Sequence, residues 1–190
     1  MAAALYTIGH STRSGEELLG LLAEHGIATL VDVRRFPASR RHPQFARQAL
    51  AASLAGAGIA YVHEPDLGGR RQPRPDSPHT AWRVPAFRGY ADHMGSAPFS
   101  AALGRLLRLA ERSRTVILCA EAVPWRCHRR LIADAATAAG AEVLHILAPG
   151  RGATPHQLDA AARVVVEPAD GAARLIYDVD PAAPPMLPFP

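Results

Sequence analysis

Lysine and asparagine are both absent: all 21 basic residues of the 190-residue chain are arginine. Without lysine there is no P-loop lysine, no pyridoxal phosphate attachment and no lysine Schiff base. Cysteine is scarce as well, with only Cys119 and Cys127. Two cysteines cannot staple a disulfide scaffold, and a reducing, cytoplasmic setting is expected. No apolar run approaches the roughly 18 residues that span a bilayer. The opening MAAALYTIGHS has neither a basic segment nor a long apolar one, so a secretory signal is not expected. A net charge of +4 admits a polyanionic partner without requiring one.

What is present alternates short apolar runs with amphipathic stretches. Residues 5–8, 29–33, 59–63, 115–118 and 142–147 read as strands. Ser14-Gly15-Glu16-Glu17 forms a capping box ahead of a leucine-rich helix that Gly26 stops. Further helices are expected over about 44–55, 85–94, 98–112 and 129–139. Residues 64–84 hold four prolines and a Gly-Gly pair, which predicts a long surface loop. Beyond Gly150, a short helix near 155–162 and strand-like runs at 163–166 and 174–177 are expected, then an extended proline-rich tail over 181–190. The pattern predicts a single α/β domain over 1–180, a mostly parallel sheet with helices on both faces.

In such a sheet, ligands sit outside the carboxyl ends of the strands. The residues just past each predicted strand are His10, Ser11, Thr12 and Arg13; Arg34 and Arg35; His63 and Glu64; Cys119 and Glu121; and His145 near the end of the fifth. That convergence of His, Arg, Glu and Cys on one edge points to a site. Its richest part is Thr115 to Leu131, where both cysteines, Glu121 and His128-Arg129 lie between a strand and a helix.

TIGHS at 7–11, DVRRFPASRR at 32–41, YVHEPDLGGRR at 61–71, FRGYADHM at 87–94 and CAEAVPWRCHR at 119–129 resemble the DUF488 family. The resemblance implies a three-layer α/β fold, rhodanese- or Rossmann-like in outline, with a site built from these motifs. It supplies no reaction.

Several constellations compete for that site. Cys119, Cys127 and His128 are donor types that suit zinc or iron. Adjacent helical residues diverge by about 100°, so Cys127 and His128 are not expected to face one ion. No cofactor is therefore expected, and the metal is the minority reading beside a plain pair of semi-buried thiols. A cysteine nucleophile of the rhodanese or phosphatase type needs Cys-x5-Arg. Cys119 and Arg126 give Cys-x6-Arg, and Glu121 would put negative charge in the cradle. Cys127, at a helix start, would have a depressed thiol pKa. Asp32 reads as a buried carboxylate paired with an arginine, with catalysis as its second reading.

Arg35, Arg40, Arg41, Arg70, Arg71 and Arg74 concentrate in two loops near the same edge, with Phe36, Trp82, Tyr90 and Trp125 close by in sequence to stack on bases. Arg34, His10, Ser11, His63, Tyr90, Cys127, His128 and Arg129 complete the expected substrate- and phosphate-binding set. Three functions fit. The first is an enzyme on DNA, RNA or a nucleotide that hydrolyses an N-glycosidic bond, with Glu121 or Asp32 as the working carboxylate and Arg126 and Arg129 keeping Glu121 ionised. The second is a thiol or metal enzyme centred on Cys119 and Cys127. The third is a non-catalytic nucleic-acid or anion-binding module.

Overall fold

The crossover units expected from the sequence are present in the computed structural model, which describes residues 4–38, 40–166 and 173–178. Ser39 and the expected tail over 181–190 lie outside the described residues. In chain order the elements are β1 (Ala4–Gly9), α1 (Gly15–Glu24), β2 (Thr29–Asp32), α2 (Arg47–Gly56), β3 (Ala60–His63), α3 (Pro85–Met94), α4 (Ala97–Arg112), β4 (Thr115–Cys119), α5 (Arg129–Ala138) and β5 (Glu142–His145). A two-residue β6 (Thr154–Pro155) follows, then β7 (Ala162–Val166) and β8 (Ala173–Tyr177). The main sheet has the order β3-β2-β4-β1-β5-β6, parallel except for β6, while β7 and β8 pair as a separate hairpin. No helix among the described residues is long and apolar enough to cross a membrane.

Side chains on a strand alternate between faces, and here each face has its own core. Tyr6, Ile8, Leu30, Val116 and Leu118 pack on one side against Leu18, Leu21 and Leu22 of α1 and Leu50 and Leu54 of α2. Leu5, Val31 and Ile117 pack on the other side against Tyr90, Phe99, Leu106, Leu131 and Ile132 of α3, α4 and α5. The central strands are thus apolar on both faces, as parallel strands covered by helices must be. The same alternation sends Cys119, two residues after Ile117, to the α5 side. The capping box at α1 is formed: the Ser14 hydroxyl accepts from Glu17 N–H at 3.0 Å, and the Glu17 carboxylate accepts from Ser14 N–H at 2.6 Å.

From β1 the chain crosses β4 to reach β2, and from β4 it crosses β1 to reach β5. Neighbouring strands whose connections leave in opposite directions open a crevice at their carboxyl ends. Gly9 and Cys119 are register partners at that point. His10 N–H donates to the Cys119 carbonyl at 3.0 Å, and Ser11 N–H to the Ala120 carbonyl at 2.8 Å. Gly9 is required by close approach, since a Cβ there would lie 1.7 Å from the Glu121 carbonyl oxygen.

Two expectations about elements need correction. The short helix over 155–162 does not form. Pro155 sits opposite Leu144 as part of β6, and the Asp134 carboxylate draws in the His156 ring and the Asp159 amide instead. The helix expected from about Gln44 is split into a 3₁₀ turn, Pro43–Phe45, and α2.

Candidate functional site

The carboxyl edge carries three groups of side chains. At its centre, Cys119 comes from the end of β4, and Cys127 and His128 from the turn that leads into α5. His128 Nδ1 lies 3.8 Å from Cys119 Sγ and 3.7 Å from Cys127 Sγ. The three donor atoms all fall within 4.8 Å of one another. On the far side of the ring, Nε2 lies 3.2 Å from the Val33 carbonyl. A carbonyl only accepts, so Nε2 carries the proton, and in the neutral ring Nδ1 keeps its lone pair. That lone pair faces the two sulfurs.

The expectation that Cys127 and His128 diverge is therefore corrected. Cys127 is extended (φ −134°, ψ 146°) and His128 helical (φ −57°, ψ −17°). The change of backbone direction between them turns both side chains to one point, so the 100° spacing of helical neighbours does not apply. The expected depressed thiol is also reassigned. Cys119, not Cys127, is held well below the ordinary thiol value, chiefly by the hydrogen bond from Cys127 and, against burial, by the charge of Arg129. Cys127 is pushed well above it, because it keeps the shared proton and is buried. Both thiols are reduced and buried, Cys119 at 7% and Cys127 at 2% exposure.

The second group is a closed polar knot. Asp32, fully buried, accepts from the Arg34 guanidinium at 2.9 and 2.6 Å, from Arg34 N–H at 3.0 Å and from the Tyr61 hydroxyl at 2.9 Å. Arg34 also donates to the Phe45 carbonyl at 2.8 Å and to His10 Nε2 at 3.3 Å, while His63 donates to the Arg34 carbonyl at 2.9 Å. Burial lowers the His10 pKa, and its ring stacks on Phe45 with centroids 4.3 Å apart. The expected pairing of Asp32 with an arginine is present. It leaves Asp32 no lone pair facing open space, and it leaves the Arg34 charge compensated rather than available to a phosphate.

The third group lies at the mouth. Arg35 donates to the Arg70 carbonyl at 3.2 Å, and Arg71 Nε to the Gly68 carbonyl at 3.1 Å. Arg35, Arg70 and Arg71 have no carboxylate ion-pair partner among the described residues. Burial and the neighbouring Arg35 charge lower the Arg71 pKa. Gly69 brings this loop onto the thiol centre: a Cβ there would lie 2.9 Å from His128 Nδ1.

Several expected site residues belong elsewhere. Glu121 is on the right edge, but its side chain is exposed and makes no ion pair with Arg126 or Arg129. Arg129 is 1% exposed and bonds main-chain oxygens instead, Glu121 O at 2.8 Å and Ala122 O at 3.4 Å. Tyr90 is wholly buried, its hydroxyl donating to the Leu67 carbonyl at 2.7 Å, so it props the His128 ring rather than stacking on a ligand. Phe36 and Trp125 are exposed, Arg40 stands in solvent, and Ser11 is a half-exposed turn residue with φ 47°. His145 faces away from the centre into a buried chain of its own with His156 and Asp134.

Tyr61, the Val33 carbonyl and Gly69 were missed. Only Gly69 had a signal, the Gly-Gly step before two arginines; the others depend on strand register and on where a main-chain oxygen falls. The family model for the domain of unknown function DUF488 matches residues 14–136. The chain belongs to the DUF488 family. That match begins after β1 and spans β2, β3 and β4, both cysteines, His128 and the arginine loops of this DUF488 protein. No curated protein and no solved structure matches the chain.

Proposed function

We propose that this DUF488 protein is a hydrolase whose chemistry runs through Cys119, Cys127 and His128, and whose substrate carries phosphate, as a nucleotide or nucleic acid does. The observation that carries the reading is the contact of Gly69 with the His128 ring. It joins a thiol–imidazole centre to a mouth of arginines that lack carboxylate partners. Guanidinium groups are suited to phosphate by their fork of donors. The centre has the arrangement of an activated nucleophile: two thiols facing one imidazole nitrogen, with the ring oriented by a third group, the Val33 carbonyl. In this reading the thiol–imidazole centre, rather than Glu121, supplies the group that activates water or attacks the substrate. Hydrolysis of an N-glycosidic bond remains one reaction it would serve.

The test is a turnover screen over nucleotides, DNA and RNA, including strands with modified bases. Cys119→Ser is expected to abolish the turnover found, and Glu121→Gln to leave it unchanged. Arg35→Ala and Arg71→Ala should each lower kcat/KM about tenfold or more, the scale of one lost charged hydrogen bond. For nucleic acids, binding should weaken steeply with salt, and Arg70→Ala should flatten the slope by about one unit. Loss of turnover in Glu121→Gln with retention in Cys119→Ser would contradict the proposal. Salt-sensitive binding with no turnover on any substrate would leave an anion-binding module.

A further inference from the structure

Cys119, Cys127 and His128 share a feature that a hydrogen-bonded thiol pair does not need. All three present soft or borderline donor atoms to one small volume, and no other His, Cys, Asp or Glu among the described residues joins them there. The Nδ1-to-sulfur distances of 3.8 and 3.7 Å form two edges of this triangle. Around a tetrahedral zinc, with Zn–S of about 2.3 Å and Zn–N of about 2.0–2.1 Å, such an edge is about 3.5–3.6 Å. We infer that Cys119, Cys127 and His128 bind one divalent zinc ion, with its fourth position open to water or substrate. The inference rests on reading these three residues as the chemical centre.

Three further contacts fit an ion here. His128 Nε2–H donates to the Val33 carbonyl, the outer hydrogen bond by which a ligating histidine is fixed in the tautomer that frees its other nitrogen. Arg129 N–H points at Cys127 Sγ from 3.5 Å, the kind of donor that stabilises a ligating thiolate. Gly69 leaves the space beside Nδ1 free of any Cβ. The donor set of two thiolates and one imidazole selects zinc over calcium, magnesium or manganese, which prefer oxygen. Three protein ligands and one exchangeable position are the pattern of a catalytic rather than a structural zinc site. Binding balances as one divalent ion taken up and the protons still held by the thiols released to solvent, so that two thiolates and a neutral imidazole leave a site of no net charge. The positive charge beside it without a carboxylate partner among the described residues is then that of buried Arg129 and of Arg35, Arg70 and Arg71 at the mouth.

The test uses the full chain, purified without chelator. Elemental analysis should find about one zinc per chain that survives gel filtration. Cobalt(II) added to metal-stripped protein should produce a thiolate-to-cobalt charge-transfer band and tetrahedral visible bands. Uptake of zinc in unbuffered solution should release at least about one proton per chain, the one that Cys127 holds. Cys119→Ser and Cys127→Ser should lose the charge-transfer intensity stepwise. His128→Gln should weaken zinc affinity at least about tenfold, and Glu121→Gln should bind as wild type. Should the cysteine variants misfold, proton release and the cobalt spectrum of the wild type decide alone.

No retained zinc, no charge-transfer band and no proton release would overturn the inference. If turnover nevertheless disappears in Cys119→Ser, the thiol–imidazole centre stands without a metal. A bound ion with no turnover on any substrate upholds the metal site and removes the enzymatic reading.

Discussion

Two of the histidine clusters among the described residues are built on opposite principles. Beyond β5 runs a chain whose proton directions, with both imidazoles neutral, follow from its acceptor end at Asp134. His156 Nε2–H donates to Asp134 at 2.9 Å, so His156 Nδ1 accepts from His145 Nε2–H at 3.0 Å, and His145 Nδ1 accepts from the Thr7 hydroxyl at 2.8 Å. The other Asp134 oxygen takes the Tyr177 hydroxyl at 2.9 Å, and the Asp159 amide closes the first at 3.0 Å. Each ring nitrogen in that chain has one partner at good distance. At the end of β4, by contrast, one lone pair of His128 faces two sulfurs at 3.7–3.8 Å, and the neighbouring loop withholds even a Cβ. A saturated network fixes structure; a converging set of donors left loosely partnered is where a ligand or a reaction has room. Buried histidine by itself distinguishes neither.

The largest expected effect breaks the saturated cluster. Asp134→Ala leaves the His156 ring, the Tyr177 hydroxyl and the Asp159 amide without their acceptor, and should cost about 3–5 kcal/mol in urea unfolding. Next is the pH response. Burial, seconded by His156, pushes the His145 pKa from 6.5 down to about 4. The unfolded chain then binds the proton more tightly, so stability is full above pH 6.5 and is lost as pH falls toward 4. His10, His79 and His93, also lowered chiefly by burial, add in the same direction. The urea midpoint should fall across this window, and His145→Gln should flatten the fall.

A smaller effect on stability, but a large one on function, is expected at the open cluster. Gly69→Ala would set a Cβ 2.9 Å from His128 Nδ1, so the loop or ring must shift. The cost should be about 1 kcal/mol in the same unfolding assay, with most turnover lost. Glu121→Gln, on an exposed side chain, should change stability by less than about 0.5 kcal/mol. If Gly69→Ala destabilised the protein as much as Asp134→Ala, the two clusters would not differ in kind.

The sheet and most helices were legible because hydrophobic periodicity and strand alternation act locally. Helices over Pro85–Met94 and Arg129–Ala138 follow directly from apolar spacing and from the Gly140 stop, which takes φ 89°. The carboxyl edge was legible for a related reason: in parallel strands, residues that follow each strand must meet. What sequence could not show is which way a side chain turns after the strand ends. Glu121 and Cys119 are two residues apart, yet one faces solvent and the other the α5 core. Cys127 and His128 converge only because the backbone changes conformation between them. The 155–162 segment carried helix-compatible residues, but its outcome was decided by Asp134, more than twenty positions away.

The chemistry of the site turns on His128 holding its proton on Nε2 and offering Nδ1 to the sulfurs. The direct measurement is the ¹⁵N spectrum of ring-labelled histidine at neutral pH, with the His128 signals assigned by their disappearance in His128→Gln. The expected result is a protonated Nε2 and an Nδ1 that carries no proton, whether a metal is present or has been removed. A neutral ring with its single proton on Nδ1 would contradict it, because the lone pair would then be directed at the Val33 carbonyl, which has no proton to give.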